Sequence, residues 1–202
     1  TEDYIVISDP PYNQDYHYNE YGDNLNDSEY IELMKKVFRK PCVIINYIEN
    51  IFKYFDFLGP PDKVISWVYN AHTPRKWRAI CFYGVTPDFS KIKIPFKNIG
   101  DKRLKGKEGA NIYDWWHIEQ VKNVSEEKTS HPCQIPFKIM RNIIQLCTSC
   151  DDLIVDPFLG SGTTVIACLE LKRNYIGIDI SSEYCDIAIK RRDNYLNQLK
   201  LF

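Results

Sequence analysis

Apolar residues follow two rhythms along this chain. Short unbroken runs at 4–8, 42–47, 64–69, 79–83, 153–155 and 175–179 predict buried strands. Between them, apolar positions recur every three or four residues. Tyr30, Leu33, Met34, Val37 and Phe38 mark one helix face, with Asp27-Ser28 as its cap, Glu32 in its first turn and Pro41 as its stop. Residues 51–58 read as helix, ended by Gly59-Pro60-Pro61. Phe137, Met140, Ile143, Ile144 and Cys147 mark another face, and residues 163–171 and 182–199 the last two helices. Alternating strands and helices, with strands apolar on both faces, predict an α/β fold built on a mostly parallel sheet with helices on both sides. Two stretches break the rhythm. Residues 13–27 form a polar loop rich in Tyr and Asn, longer than a simple connection and so expected to be a lid or binding loop. Residues 86–130 are charged and turn-rich and read as an irregular insert.

Composition narrows the class. With 202 residues and 44% hydrophobic content, the chain suffices for one well-cored domain. A net charge of −1 supplies no global basic field, so any nucleic-acid contact must come from a local patch. The seven cysteines are odd in number and irregular in spacing, which fits a reducing, intracellular setting, cytoplasmic in a prokaryotic or virus-infected host. Cys147-x-x-Cys150 has no second pair at zinc spacing, so no metal is expected. No apolar stretch approaches the ~20 residues that span a bilayer, so no membrane partner is expected. The chain shows no signal peptide and no initiating Met and starts almost on a strand, so residues upstream of Thr1 are expected.

Two strand ends carry the candidate chemistry. After 153–155 comes Asp156-Pro157-Phe158-Leu159-Gly160-Ser161-Gly162-Thr163-Thr164, a glycine turn that opens a helix. Such a turn brings backbone N–H groups close to a ligand. It lacks the lysine of a phosphate-binding P-loop, and the residue three beyond Gly162 is Val165 where a dinucleotide fingerprint wants Gly or Ala. An adenosyl pocket remains, alongside a plain strand–helix turn. Asp179, at the end of the next strand, favours the pocket, because a carboxylate there accepts both ribose hydroxyls.

After the first strand comes Asp9-Pro10-Pro11-Tyr12. An exocyclic amine on a nucleobase is a poor nucleophile, since its lone pair is delocalised into the ring. Acceptors for both of its N–H groups pull the nitrogen toward tetrahedral geometry. Asp9 and the Pro10 carbonyl are such acceptors, and the two prolines stiffen the turn without adding N–H donors. Tyr12 offers a face for stacking, worth ~1–3 kcal/mol per base. An ordinary Asp-Pro turn is the alternative.

Together these residues resemble the amino-directed DNA methyltransferases. Asp9 to Tyr12, Asp156 to Thr164 and Gly177-Ile178-Asp179 look like that family's catalytic, methyl-donor-binding and ribose-binding motifs. Their order, catalytic motif first, is similar to the circularly permuted beta class. Ile65-Ser66-Trp67, the 79–83 strand and His131-Pro132-Cys133-Gln134-Ile135-Pro136 also look like that class, though Ile135 stands where the family often has Lys. The resemblance implies a Rossmann-like methyltransferase fold, S-adenosylmethionine as methyl donor and DNA as partner. It implies a mostly parallel seven-stranded sheet. Asp9 and Pro10 would hold the amine in the turn stiffened by Pro11, and Tyr12 would stack on a flipped base. Asp156, Phe158, Gly160, Ser161, Gly162, Thr163, Asp179 and His131 would line the methyl-donor pocket. Asp at position 9 favours adenine N6, because cytosine-N4 members more often carry Ser there. Cytosine-N4 or RNA methylation with the same site, and a non-catalytic nucleic-acid-binding subunit, are the alternatives.

The division expected is a catalytic half over 1–85, a target-recognition insert over 86–130 and a methyl-donor half over 131–202. Lys91, Lys93, Lys97, Lys102, Arg103, Lys105 and Lys107 crowd the insert, with Tyr113, Trp115 and Trp116 just after, and are candidates for phosphate contact. A solvated loop is the alternative. Arg75, Lys76 and Arg78 add a second basic cluster. So short an insert implies a short recognition sequence or a homodimer. His17 and His131 need not be bases, since direct methyl transfer requires no strong one.

Overall fold

The computed structural model describes residues 3–16, 22–96 and 104–200. The first apolar run forms β1 (Tyr4–Ser8). Helix α1 (Asp27–Val37) follows the 13–27 loop. Its cap is Asn26 rather than Asp27 or Ser28: the Asn26 side chain accepts from the Glu29 N–H, and the Glu29 carboxylate accepts from the Asn26 N–H. β2 (Cys42–Asn46) is buried throughout. The expected helix over 51–58 starts earlier and is broken into α2 (Ile48–Ile51), a 3₁₀ turn (Phe52–Tyr54) and α3 (Phe55–Leu58). Ile51, Tyr54 and Leu58 still face inward. β3 (Lys63–Val68) and β4 (Trp77–Tyr83) form an antiparallel pair.

The 86–130 stretch is not wholly irregular. It holds a small ladder of β5 (Lys93–Ile94) with β6 (Ala110–Asn111), then β7 (Trp115–His117). β7 joins the main sheet in parallel with β3, pairing Trp116 with Trp67. Trp116 is buried and donates its Nε1–H to the Tyr113 carbonyl, so it is a packing residue, whereas Trp115 and Tyr113 are exposed. Three residues are too few to show a strand period, and only the pairing with β3 orders them. The chain ends with α4 (Phe137–Cys147), β8 (Leu153–Asp156), α5 (Thr163–Leu171), β9 (Asn174–Gly177) and α6 (Ser182–Leu199).

The seven strands lie in the order β7-β3-β4-β2-β1-β8-β9. The pairings β1–β2, β1–β8, β8–β9 and β3–β7 are parallel, and β2–β4 and β3–β4 antiparallel, so the expected mostly parallel α/β sheet is the one formed. Helices cover both faces. Ile5 and Ile7 of β1 pack with Ile139, Ile143 and Ala167 of α4 and α5, while Val6 between them packs with Tyr30, Met34 and Tyr54 on the other side. Two-sided burial is why β1 reads as an unbroken apolar run instead of an alternating one.

This topology gathers the strand ends that carry the candidate chemistry at one edge. β1, β2, β8 and β9 are parallel and end there. β4 runs the other way, pairing Ala79 with Asn46, so its amino end reaches the same edge.

Candidate active site

Asp9 leaves the end of β1 beside Asp156, the last residue of β8. Ser8 locks the two corners together by donating its hydroxyl to Asp156 Oδ1 at 2.5 Å. Both corners open into one cavity of about 570 Å³, which Asp9, Tyr12, Phe158, Gly160 and Asp179 help to line. That is the size of a pocket for a small-molecule cofactor.

The Asp9–Tyr12 turn is held from behind by a buried polar network. Tyr30 of α1 donates to the Pro11 carbonyl at 2.9 Å and lies 3.0 Å from the Tyr54 hydroxyl. Asn50 donates to the Tyr12 carbonyl at 3.1 Å and to Asn46 Oδ1 at 3.0 Å. The Pro10 carbonyl accepts no hydrogen bond among the described residues, which leaves it available to a ligand. The Tyr12 hydroxyl donates to Asp9 Oδ1, and the Tyr12 ring meets Tyr47 edge-on at 4.8 Å. Burial pushes the Asp9 carboxyl up to about 6, against the pull of the Arg78 charge and the Tyr12 hydrogen bond; Asp156 adds to the rise. Asp9 is therefore mostly an anion at neutral pH.

On the other side, both Asp156 oxygens are engaged within the protein. Oδ1 accepts from Ser8 and, at 3.2 Å, from the Phe158 N–H, and Oδ2 accepts from the Thr164 hydroxyl. Desolvation lifts its carboxyl to about 6 against those three bonds. Asp156 thus joins β1, the turn and α5. Asp156→Ala leaves two hydroxyls and an amide without their acceptor, and should lower stability by about 2–4 kcal/mol. Urea unfolding checks this, and an unmoved midpoint would show the latch to be idle.

Gly160 and Gly162 are required sterically as well as by their backbone. Both have positive φ, +52° and +77°. A Cβ on Gly160 would come 2.9 Å from His131 Nε2, and one on Gly162 2.6 Å from Ala188 Cβ of α6. Asp179 clamps the turn: Oδ2 accepts from the Gly160 N–H at 2.7 Å and Oδ1 from the Ser181 N–H at 2.9 Å. His131 is buried edge-on to Tyr184 at 4.4 Å, and desolvation lowers its pKa to about 4, so it is neutral at pH 7. Its Nδ1 is buried with no partner among the described residues. Ile135 is buried, and its carbonyl accepts from Thr163 Oγ1 at 3.3 Å. Ser161 and Thr163 are fixed by Arg191 of α6, which donates to the Ser161 carbonyl at 2.7 Å and to both hydroxyls at 3.1 Å.

Of the polar loop, Gln14, Tyr16 and Asp23 line the cavity, while His17 lies outside the described residues. The candidate phosphate contacts scatter. Lys91 donates to the Thr148 carbonyl at 2.9 Å, beyond the end of α4 and before β8 begins, at the sheet edge opposite Asp9. Lys93 donates to Asn111 at 2.6 Å, and Lys105 and Lys107 are exposed. Lys97, Lys102 and Arg103 lie outside the described residues. Arg75, by contrast, reaches the rim of the cavity, donating to Gln14 at 2.5 Å over the Tyr47 ring.

Sequence reasoning missed Tyr47, Arg78 and Arg191. Tyr47 and Arg191 sit in ordinary helical or strand-end contexts with no local signal. Arg78 reads as one more surface cation beside Arg75 and Lys76. Only its position on an antiparallel strand reveals that it faces Asp9.

The family model described as DNA methylase matches residues 42–190. The type II methyltransferase M.HpaI of Haemophilus parainfluenzae is 30% identical over 96% of this chain and 69% of its own length. M.BglII of Bacillus subtilis, also a type II methyltransferase, is 32% identical over 68% of this chain, which spans 44% of that relative. Among solved structures, the M1.HpyAVI–SAM complex matches with a TM-score of 0.63 and 26% identity over 94% of this chain and 88% of that one. The cytosine-N4-specific PvuII DNA methyltransferase shares the fold, with a TM-score of 0.65 and 18% identity over 98% of this chain and 85% of its own. With its two corners side by side on one sheet, and with these matches, the chain belongs to the N6/N4 DNA methylase family.

Proposed function

We propose that this chain is an S-adenosylmethionine-dependent DNA methyltransferase that methylates the exocyclic N6 of an adenine flipped into the cavity. The observation that carries the reading is Asp9 as a largely shielded carboxylate in one cavity with the glycine turn. The methyl-donor half of the cavity fits such a cofactor: Gly160 lets the turn pass close to His131, His131 Nδ1 has no partner among the described residues, and Asp179 keeps acceptor sites beyond its two backbone bonds. Bound there, the cofactor would supply an electrophilic methyl group carried on a sulfonium.

The protein's own part is to hold and activate the amine. Asp9 accepts from one N–H and the free Pro10 carbonyl from the other, localising the lone pair on nitrogen. The amine's surplus proton passes to solvent. Tyr12, braced by Tyr47, gives the base a flat wall, and stacking of ~1–3 kcal/mol offsets part of the few kcal/mol that base extraction costs. Asp156 supports the site as the latch between the two corners instead of touching ligand with a free oxygen.

Residues 1–85 and 131–202 then act as the catalytic and methyl-donor halves, with 86–130 as the target-recognition insert. Lys105 and Lys107 with Arg75 and Lys76 are its phosphate contacts; Lys91 is turned to the far edge.

The test is methylation of duplex DNA, single-stranded DNA and RNA with labelled S-adenosylmethionine, read by nucleoside mass spectrometry. N6-methyladenine in DNA is expected. N4-methylcytosine, or label in RNA alone, would replace the adenine reading. Nucleic-acid binding with no transfer to any substrate would make the chain a non-catalytic subunit.

A further inference from the structure

Arg78 is a largely shielded cation that the proposed reaction leaves without a role. It stands opposite Trp67 in the β3–β4 ladder, at the end of β4 that reaches Asp9. Its guanidinium carbon lies 5.0 Å from the centre of the Tyr12 ring, 5.1 Å from Trp67, 5.6 Å from Tyr47 and 5.8 Å from Tyr69. Four rings at such distances attract the cation and keep water from it. The side chain is 13% exposed and borders the cavity. Nη1 sits 3.9 Å from Asp9 Oδ2, too far for a hydrogen bond but close enough for strong coupling where water is scarce. Nε is buried with no partner among the described residues. Enclosing a guanidinium with an unfilled donor is unfavourable for the fold, and such a group calls for an explanation outside packing.

We propose that Arg78 is a positioning residue for methyl transfer, the counter-charge that keeps Asp9 an anionic acceptor while a flipped base fills the cavity. The proposal rests on the methyltransferase reading. The groups facing Asp9 are Arg78 from β4, Tyr12 from its own turn and Asp156 from β8. Those facing Arg78 are Asp9, Tyr12, Tyr47 and Tyr69. Asp156 and desolvation both favour the neutral acid, and Arg78 is the cation of this set that opposes them. A base entering the pocket displaces water, so the opposition then falls more heavily on Arg78.

The sign follows directly. Asp9 is anionic above about 6 in the protein with Arg78 present. Removing the cation raises that threshold, so the acid limb of the pH–rate profile moves upward. In Arg78→Met the limb of kcat/KM should rise by about one unit or more, giving a loss at least about threefold larger near pH 6.5 than near pH 9. Arg78→Lys, which keeps the charge, should retain the limb within about half a unit of its original place. Equal loss by Arg78→Met at every pH would overturn the proposal, as a purely structural role predicts.

A stability cycle tests the pair without turnover. Asp9→Asn should lower Tm in the natural background, where it strips Arg78 of its carboxylate. It should raise Tm in the Arg78→Met background, where it removes a largely shielded anion that has lost its counter-charge. If Arg78→Met alone fails to fold, recovery of folding in the double variant reads the same coupling. Additive effects, or no recovery, would overturn the proposal. Coupling in a protein that methylates nothing would instead sink the functional reading and leave the ion pair standing.

Discussion

Asp9→Ala is expected to lower the rate of methyl transfer by about a thousandfold, the scale of removing a preorganised group that stabilises developing charge. Methyl-donor affinity should stay within about threefold of its original value, because Asp9 lies on the β1 corner and the glycine turn with Asp179 on the β8–β9 side. The separation is chemical as well as spatial. The amine needs an acceptor to free its lone pair, whereas the methyl donor needs a cradle of backbone and a ribose acceptor. Single-turnover rates and calorimetry of S-adenosylmethionine binding read the two effects apart. Equal loss of both would remove Asp9 from the amine-holding role. The substitution also deprives the Tyr12 hydroxyl and the Arg78 charge of their partner, so folding must be verified by the calorimetric stoichiometry.

Asp179→Ala should do the reverse. Its two oxygens already accept from the Gly160 and Ser181 N–H groups, at 2.7 and 2.9 Å. A carboxylate has about four lone-pair sites, so roughly two remain for ribose hydroxyls. The substitution removes those acceptors and releases the clamp on the turn together. The Kd for S-adenosylmethionine should rise about 10–100-fold, the range for losing hydrogen bonds to a charged group, while kcat at saturating methyl donor changes less than about threefold. Unchanged affinity would refute the ribose assignment. A fall in kcat at saturation as large as the rise in Kd would place Asp179 in the transfer step instead.

Much of the site was legible because its signals are local. A buried strand gives way directly to Asp9-Pro10-Pro11-Tyr12, and another directly to Asp156 and the glycine turn. In each, the chain must stop pairing and present backbone or carboxylate groups, and Pro and Gly are the residues that permit it. The apolar periods revealed the sheet and its two covered faces for the same reason: burial on both sides leaves β1, β2 and β8 without polar residues except at their last positions, Ser8, Asn46 and Asp156. Other features left no local trace. The Asn26 cap differs from its neighbours Asp27 and Ser28 only in which one the backbone lets turn extended. β7 is too short to carry a period, and Trp116 is buried only because β3 lies beside it.

What the residue order determined by itself was the chemistry available at each strand end and the α/β class, since both follow from spacing within a few residues. The partnership between those ends was a tertiary matter. Parallel pairing of β1 with β8 set Asp9 next to the glycine turn from a distant part of the chain, and the reversed direction of β4 turned Arg78 from one of three neighbouring cations into the shielded companion of Asp9. Strand direction and order depend on long-range pairing, and no local pattern encodes them.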